Sequence, residues 1–319
     1  MKEFDLIKKY FTDQAVNRKD VQLGIGDDCA VICPPERQKI AVTTDTLVAG
    51  VHFPLQTSAK AIGHKAIAVN LSDLAAMGAE PSWISLAITL PEVDENWISD
   101  FCNAVFELCE YYNVQLIGGD TTRGPLSITV TAQGLLPLDK QLTRSTGSPG
   151  DWLYVTGNIG DAALALKHVL GEFTIEAQHL KKLQKKLDFP KPQVLAGQAI
   201  RDYASAAIDL SDGLVADLRH ICQASKVGAN IVLEDLPLSF ELIDSVGVEQ
   251  AIKLALSGGD DYELLFTVSE DNKVGVETAL SNCGVTATCI GQLNGNNAIT
   301  TTVNNKPVVL RNEGFEHFT

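Results

Sequence analysis

The polar segment LDKQLTRSTGSPGD, residues 138–151, interrupts every apolar periodicity in a chain of 319 residues. On both sides of this segment, apolar runs of strand length alternate with runs of helix length. This alternation is typical of α/β domains, and a chain of this length exceeds one ordinary core. The sequence therefore predicts a mixed α/β (α+β) fold with two domains, residues 1–138 and residues 150–319.

The apolar periods locate the main elements of each half. In the first half they predict strands over 39–45 and 83–91, helices over 59–77 and 95–112, and two later strands in VQLIGGD and LSITVTAQGLLP. In the second half WLYVTG, AAIDL, ANIVL and YELLFTV predict strands, and GDAALALKHVL and DGLVADLRHICQAS predict helices. The charged segment 172–190 predicts a peripheral helix, and GNNAITTTVNNK predicts a hairpin.

Charge and composition exclude several classes of function. The 40 acidic and 25 basic residues give a net charge of −15, which argues against a nucleic-acid partner because phosphate binding needs basic residues. No run reaches the roughly 18 apolar residues that a membrane span requires. The seven cysteines form no CxxC pair, and the first residues lack the apolar core of a secretion signal. We therefore expect a cytoplasmic protein without a membrane partner.

Nine aspartates stand beside glycine or inside apolar sequence, where charged residues are uncommon. For any one of them a turn or a helix cap is the ordinary explanation, because Gly-Asp and Ser-Asp favour both. Taken together, they also raise the alternative of a shared cation site. The nine are Asp27, Asp28, Asp45, Asp73, Asp120, Asp209, Asp212, Asp260 and Asp261.

Asp73 is the aspartate that a turn explains least well. It lies in AIAVNLSDLAAM, where Ala66, Asn70, Asp73 and Met77 fall on one stripe of an apolar helix. A helix with so much apolar surface is buried on most sides, and an ionised carboxylate there is costly unless donors or a cation meet it. A bound metal ion meets that requirement.

Asp45 and Asp120 each follow a β-rich run, IAVTT and VQLIGG. Side chains at the ends of neighbouring strands converge in α/β folds, so we expect these two aspartates to share a site. Oxygen ligands favour hard cations, and aspartates with Thr43 and Thr44 fit Mg²⁺ that bridges to phosphates. No P-loop, kinase signature or dinucleotide-binding GxGxxG opening a helix is present in the sequence.

Six motifs in series carry a family resemblance across nearly the whole chain: GIGDDCAVI, TTDTLVAGVHF, NLSDLAAMGAEP, GGDTTRGP, DLSDGL and SGGDDYELLF. Their order resembles that of the thiamine-monophosphate kinases, in the superfamily of aminoimidazole ribonucleotide synthetase. The resemblance implies transfer of the γ-phosphoryl group of ATP to thiamine monophosphate, which makes thiamine diphosphate. It also implies a homodimer whose N-terminal domains join through β-sheet in a barrel-like interface.

The resemblance also implies roles for individual residues. Asp45, Asp73 and Asp120 are the expected catalytic residues, and Gly119, Asp120, Arg144 and Ser211 the expected ATP contacts. His52, Glu263 and Phe315 are the expected contacts to the thiamine moiety. The expected magnesium ligands are Asp28, Thr43, Thr44, Asp45, Asp73, Asp120, Asp209 and Asp212.

Without the resemblance, two of these residues have simpler interpretations. An arginine in a polar linker, such as Arg144, is usually solvated, and a lone histidine such as His52 is usually a core or strand-edge residue. In the doublet we favour Asp28 as the metal ligand and Asp27 as its helper.

Several alternatives to the kinase remain open from the sequence. Residues 1–22 contain no cysteine, which a selenophosphate synthetase needs, and the end GFEHFT lacks the acceptor cysteine of the hydrogenase-maturation dehydratase. Aminoimidazole ribonucleotide synthetase itself departs from the form GIGDDCAVI. An alternative from another class is a non-catalytic acidic scaffold that binds metal or nucleotide.

Overall fold

The computed structural model describes residues 3–12, 14–304 and 306–308. The chain forms two compact units, one of residues 1–74 with 79–139 and one of residues 75–78 with 140–319. Each unit contains an open sheet and its own helices. Over the described ranges, no helix combines the length and the apolar character that crossing a membrane demands.

The first unit is built on a four-stranded sheet in the order β3-β6-β4-β5. β4 and β5 are parallel and joined by a helix, and the other neighbouring pairs are antiparallel. The elements are α1 Glu3–Ile7, a π turn Lys8–Thr12, β1 Val21–Leu23, β2 Val31–Ile32, β3 Gln38–Val48, α2 Ala59–Ala76, β4 Glu80–Leu90, α3 Glu95–Tyr112, β5 Gln115–Arg123 and β6 Ser127–Pro137. Both predicted long helices, 59–77 and 95–112, are confirmed.

The burial of α2 confirms the interpretation of its sequence. Ala66, Ile67, Ala68 and Val69, which point in successive directions around the helix, are each no more than 5% exposed. Gly63 permits the close approach of α3, because a Cβ atom there would lie 2.4 Å from the carbonyl oxygen of Phe101. An acidic residue on this helix therefore stands close to the core.

The second unit is built on a seven-stranded sheet in the order β13-β12-β9-β11-β7-β10-β8. Its strands are β7 Trp152–Thr156, β8 Ala204–Asp209, β9 Gly228–Val232, β10 Leu264–Val268, β11 Ala287–Asn294, β12 Ile299–Val303 and β13 Lys306–Val308. Its helices are α4 Asp161–Val169, α5 Ala177–Asp188, α6 Val194–Ile200, α7 Leu214–Ser225, α8 Phe240–Val246, α9 Val248–Ser257 and α10 Lys273–Asn282. Short 3₁₀ turns cover Leu233–Asp235 and Glu270–Asn272. The predicted hairpin near the end is confirmed as β12 and β13.

The charged segment 172–190 is less peripheral than its sequence predicts. It forms α5, whose Leu183 and Leu187 are buried in a cluster with Leu164 and Leu242. The lysines of α5 mask an apolar stripe at helical spacing, which is why composition alone suggests a solvated helix. This helix contributes one side of the unit's smaller core.

Candidate active site

Two aspartates of the first unit lie close together. Alternation along β3 puts Thr43 and Asp45 on one face of the sheet, and the Thr43 hydroxyl hydrogen-bonds to the carboxylate of Asp73 on α2. Burial, together with the negative charge of Asp73, raises the pKa of Asp45 to about 6. Two half-buried carboxylates that disfavour each other's ionisation gain most from a bound cation.

The prediction that Asp45 and Asp120 stand at strand ends is wrong. Asp45 lies within β3, which continues to Val48, and Asp120 lies within β5, which continues to Arg123. The β-branched residues that follow each aspartate favour extended backbone, so the strands run on through both positions. Convergence at strand ends therefore does not bring the two aspartates together.

The same alternation separates Thr44 and Asp120 from the pair of Asp45 and Asp73. In register, Asp120 falls in a row with Ala87, Thr129 and Thr46, one position away from the row that contains Asp45. Asp45 and Asp120 thus lie on opposite faces of the sheet, with three interstrand spacings of about 4.8 Å between their strands. The side chains of the predicted catalytic trio do not meet within the first unit.

The face that carries Thr44 is lined by paired hydroxyl groups. The Oγ1 atoms of Thr44 and Thr131 are 2.9 Å apart, and those of Thr46 and Thr129 are also 2.9 Å apart. These cross-strand pairs occupy the hydroxyls with one another. Side-chain ligation of a single ion by both Thr43 and Thr44 is therefore incompatible with the strand, because their side chains point to opposite faces.

The close packing of two strands accounts for the glycine at position 119. A Cβ atom at this position would lie 1.9 Å from the carbonyl oxygen of Leu86, in the neighbouring strand β4. Only glycine permits the observed approach of β4 and β5 there. The expected contact of Gly119 with ATP stays a prediction.

Asp28 and His52 lie in loops beside the sheet. The backbone N–H of Asp28 donates to Asp27 Oδ1 at 2.9 Å, and both aspartates are exposed between β1 and β2. His52 follows β3, and its Nδ1 accepts the N–H of Val48 at 3.0 Å, which assigns the proton of the neutral ring to Nε2. The preference for Asp28 as the metal ligand and Asp27 as its helper stays a prediction.

In the second unit, the motif DLSDGL forms the turn from β8 into α7. Asp209 is the last residue of β8 and is buried, while Ser211 and Asp212 are half-buried. The backbone N–H groups of Ser211, Asp212 and Gly213 all donate to Asp217 Oδ2, at 3.1, 3.1 and 3.2 Å. The turn that carries three predicted site residues is thus organised by a fourth aspartate.

Asp217 is a residue that the sequence analysis missed. Burial and the charge of Asp212 raise the pKa of Asp217, whereas the three N–H groups lower it. The net pKa is about 7. The sequence contains the same signal for Asp217 as for Asp73, since both are acidic residues inside an apolar helix. The apolar neighbours of Asp217 on its helix are Leu214, Leu218 and Ile221. All four side chains are buried.

Glu263 is buried within the second unit. Its carboxylate accepts hydrogen bonds from Thr156 Oγ1 at 2.8 Å, Gln193 Nε2 at 2.7 Å and Lys186 Nζ at 3.3 Å. Burial raises its pKa, whereas these three donors lower it. Glu263 is only 2% exposed, so the expected contact with thiamine would require the groups that cover Glu263 to move.

Asp261 also has an internal role, since both of its carboxylate oxygens accept the N–H of Gly160 at 3.0 Å, at the start of α4. Its burial raises its pKa well above the ordinary range. Arg144 is exposed, and its carbonyl oxygen accepts the hydroxyl of Ser225 at 2.7 Å. Phe315 lies outside the described residues.

Comparison with known proteins identifies the family. Residues 26–136 match the N-terminal domain of AIR synthase related proteins, and residues 148–304 match the C-terminal domain. The thiamine-monophosphate kinase of Escherichia coli K12 is 50% identical over 318 residues, covering 99% of this chain and 98% of the relative. The chain belongs to the thiamine-monophosphate kinase family. The predicted family and the prediction of an enzyme, a kinase, are thereby confirmed.

Solved structures of thiamine-monophosphate kinases share the fold. The crystal structure from Stenotrophomonas maltophilia has a TM-score of 0.88 at 41% identity, covering 97% of this chain and 98% of that chain. The structure of AaThiL complexed with AMPPCP and TMP has a TM-score of 0.78 at 31% identity, covering 99% and 96%. The mixed α/β fold with two domains is confirmed, and the sheet of the first unit is open within one chain.

The residues of this thiamine-monophosphate kinase family member fit a metal ion only in part. Across the described residues, no group of three or more histidines, cysteines, aspartates or glutamates is arranged to hold a metal. The pair of Asp45 and Asp73 nevertheless offers hard oxygen donors, and one turn away the buried Asn70 Oδ1 has no hydrogen-bond partner. This corner therefore fits a hard cation that takes further ligands from phosphate or water.

Proposed function

We propose that the chain transfers the γ-phosphoryl group of ATP to thiamine monophosphate, with Mg²⁺ held by its aspartates. The observation that carries the proposal is the 50% identity, over 99% of the chain, to a thiamine-monophosphate kinase. The fold shared with a relative solved together with AMPPCP and TMP supports ATP and thiamine monophosphate as the two substrates.

Direct in-line transfer of the phosphoryl group needs little acid-base catalysis by the protein. The attacking phosphate of thiamine monophosphate is largely ionised at neutral pH, since its second pKa is about 6. The main obstacle is repulsion, because two phosphorylated molecules must place the reacting atoms about 3 to 3.5 Å apart. Bound Mg²⁺ supplies the positive charge that offsets this repulsion. The chain's own contribution is to hold oxygen ligands at fixed positions.

Asp45, Asp73 and Thr43 form the core of the proposed metal corner, because Thr43 and Asp45 share one face of β3 and the Thr43 hydroxyl hydrogen-bonds to Asp73 on α2. The other proposed ligands are Asp28, Thr44, Asp120, Asp209 and Asp212. Of these, Thr44 takes part through its carbonyl oxygen, since its side chain is on the other face. Gly119, Arg144 and Ser211 stay proposed contacts to ATP, and His52, Glu263 and Phe315 to thiamine monophosphate.

We propose a homodimer, as the family resemblance implies, that joins along the outer strands of the first unit's sheet. These outer strands are β3 and β5. A second copy of the chain that pairs along these edges brings β5 of one subunit beside β3 of the other. Because such pairing continues each face of the sheet, Asp120 and Asp45 stay on opposite faces. We therefore propose that the two aspartates bind different metal ions.

The direct test is ADP release from ATP and Mg²⁺, measured with and without thiamine monophosphate. The proposal expects ADP formation that depends on thiamine monophosphate and yields thiamine diphosphate in equal amount. Tight ATP binding without turnover in the presence of both substrates would contradict it. Omission of the divalent cation should abolish turnover, and restored turnover after addition of Mg²⁺ alone would identify the metal requirement.

A further inference from the structure

In the turn into α7, the carboxyl group of Asp217 lies where an external anion could bind. Three successive backbone N–H groups, from Ser211 to Gly213, point at one oxygen of Asp217. Converging N–H groups at the start of a helix form a ready site for an external anion such as phosphate. Here Asp217, which is 2% exposed and lies in the first turns of the twelve-residue α7, already fills that place.

The opposite side of the same turn is fixed by the motif SGGDDYELLF. The N–H of Asp260 donates to the carbonyl oxygen of Ser211 at 2.9 Å, and the N–H of Tyr262 donates to that of Leu210 at 2.8 Å. Gly259 is needed for this contact, because a Cβ atom there would lie 2.3 Å from the carbonyl oxygen of Ser211. The backbone of the turn is therefore engaged on both sides.

We propose that Asp217 is a positioning residue that keeps these amides from binding nucleotide phosphate. Since its carboxylate occupies the three N–H groups, the turn can meet the ligand through the side chains of Asp209, Ser211 and Asp212. Phosphate recognition at this turn then proceeds through a divalent cation and oxygen ligands, and not through a helix N-terminus. The inference rests on the proposed function of the same turn.

The kinetic test compares Asp217→Ala with Asp217→Asn in the full chain. Removal of the acceptor lets the turn move, so the Ala variant should raise the Mg²⁺ concentration for half-maximal activity and the KM for ATP about tenfold or more. The KM for thiamine monophosphate should stay within about twofold. The Asn variant keeps an oxygen acceptor, and it should restore the Mg²⁺ dependence to within about threefold of the wild type.

The matched control is Asp161→Asn, which changes another buried aspartate of the same unit. Asp161 accepts the hydroxyl of Ser239 at 2.5 Å in the first turn of α4 and holds no proposed ligand. It should shift the melting temperature while leaving the Mg²⁺ dependence unchanged. An Asp217→Ala variant that melts lower but keeps the wild-type Mg²⁺ dependence would overturn the positioning role.

A second measurement uses the wild-type protein and needs no activity. Hydrogen exchange should show the amides of residues 211–213 protected before any nucleotide is added, since Asp217 already accepts them. Rapid exchange of these amides in the free protein would overturn the proposal even if Asp217→Ala fails to fold. A wild-type enzyme whose ADP release does not depend on thiamine monophosphate would instead refute the proposed function and leave the exchange result intact.

Discussion

The two units treat a buried acidic residue in opposite ways. In the first unit, the aspartates Asp45 and Asp73 face each other, and the charge of one raises the pKa of the other. In the second unit, Asp217 receives three backbone N–H groups and is satisfied by the protein itself. The comparison teaches that burial of an acid does not by itself indicate a metal ligand. Burial raises the pKa of both Asp45 and Asp217, and what differs is whether internal donors already occupy the carboxylate oxygens.

The largest effect is expected when the negative charge of Asp45 or of Asp73 is removed. Asp45→Asn or Asp73→Asn should lower turnover roughly a thousandfold or more at saturating Mg²⁺, because a proposed metal ligand is neutralised without loss of volume. Steady-state ADP release measures the effect. Asp100→Asn, which changes an exposed aspartate on α3, serves as the control and should keep wild-type turnover. Near-native turnover of Asp45→Asn would remove that residue from the metal site.

The second prediction tests whether Asp45 and Asp120 of different subunits form one site. Asp45→Asn and Asp120→Asn should each be inactive alone, and a mixture with exchanged subunits should stay inactive, because pairing of the sheets leaves the two side chains on opposite faces. Activity after mixing and verified subunit exchange is the measurement. Recovery of about a quarter of wild-type activity would contradict this prediction, since random exchange makes half of the dimers hybrid and each hybrid would then have one intact shared site of two.

A third prediction concerns the glycines beside Asp120. Gly119→Ala should lower the free energy of unfolding by about 2 to 4 kcal/mol, because its new methyl group meets the carbonyl oxygen of Leu86. Gly118→Ala is the matched control, since no heavy atom lies within 4 Å of a Cβ atom at that position. Chemical denaturation of both variants compares them. Equal stability of the two would show that the strands can separate there without cost.

The smallest expected effect is a gain in stability. Above its unfolded pKa, Asp45 destabilises the metal-free protein, because its pKa in the fold is raised to about 6. Asp45→Asn should therefore raise the metal-free free energy of unfolding by about 1 to 3 kcal/mol at pH 8. The gain should shrink as the pH falls through 6 and vanish below about 4, where the wild-type carboxyl is protonated in both states. A gain that persists at pH 3 would have a cause other than charge.

The sequence predicted most elements because their periods are strong. Helices α2 and α3 follow apolar spacing, and α3 begins at Glu95, directly after Asp94, whose carboxylate caps the helix by accepting the N–H groups of Asn96 and Trp97. Strand extents were predicted too short, although the threonines around Asp45 and Asp120 favour extended backbone. Opposite-face placement depends on register across β3, β6, β4 and β5, which no local pattern contains.

The site was predictable only in its chemistry. The sequence singles out Asp73 as an acid on a buried helix, but the proximity of Asp45 to Asp73 is visible only in the structure. The role of Asp217 depends on the path of a turn that local sequence does not fix. The proposed thiamine contacts His52 and Glu263 came from resemblance alone, and Glu263 has three internal donors that no motif reveals.

The paired threonines of β3 and β6 have a consequence for what can cover that face. Because Thr44 bonds to Thr131 and Thr46 to Thr129, these four hydroxyls keep a partner when water is withdrawn. Withdrawal of water from most polar surfaces leaves hydrogen-bonding groups without partners, at a cost of about 1 to 3 kcal/mol for each group. These four hydroxyls therefore lose less on desolvation than unpaired hydroxyls would, whereas the exposed carboxylate of Asp120 in the same row must still be solvated or paired with a cation.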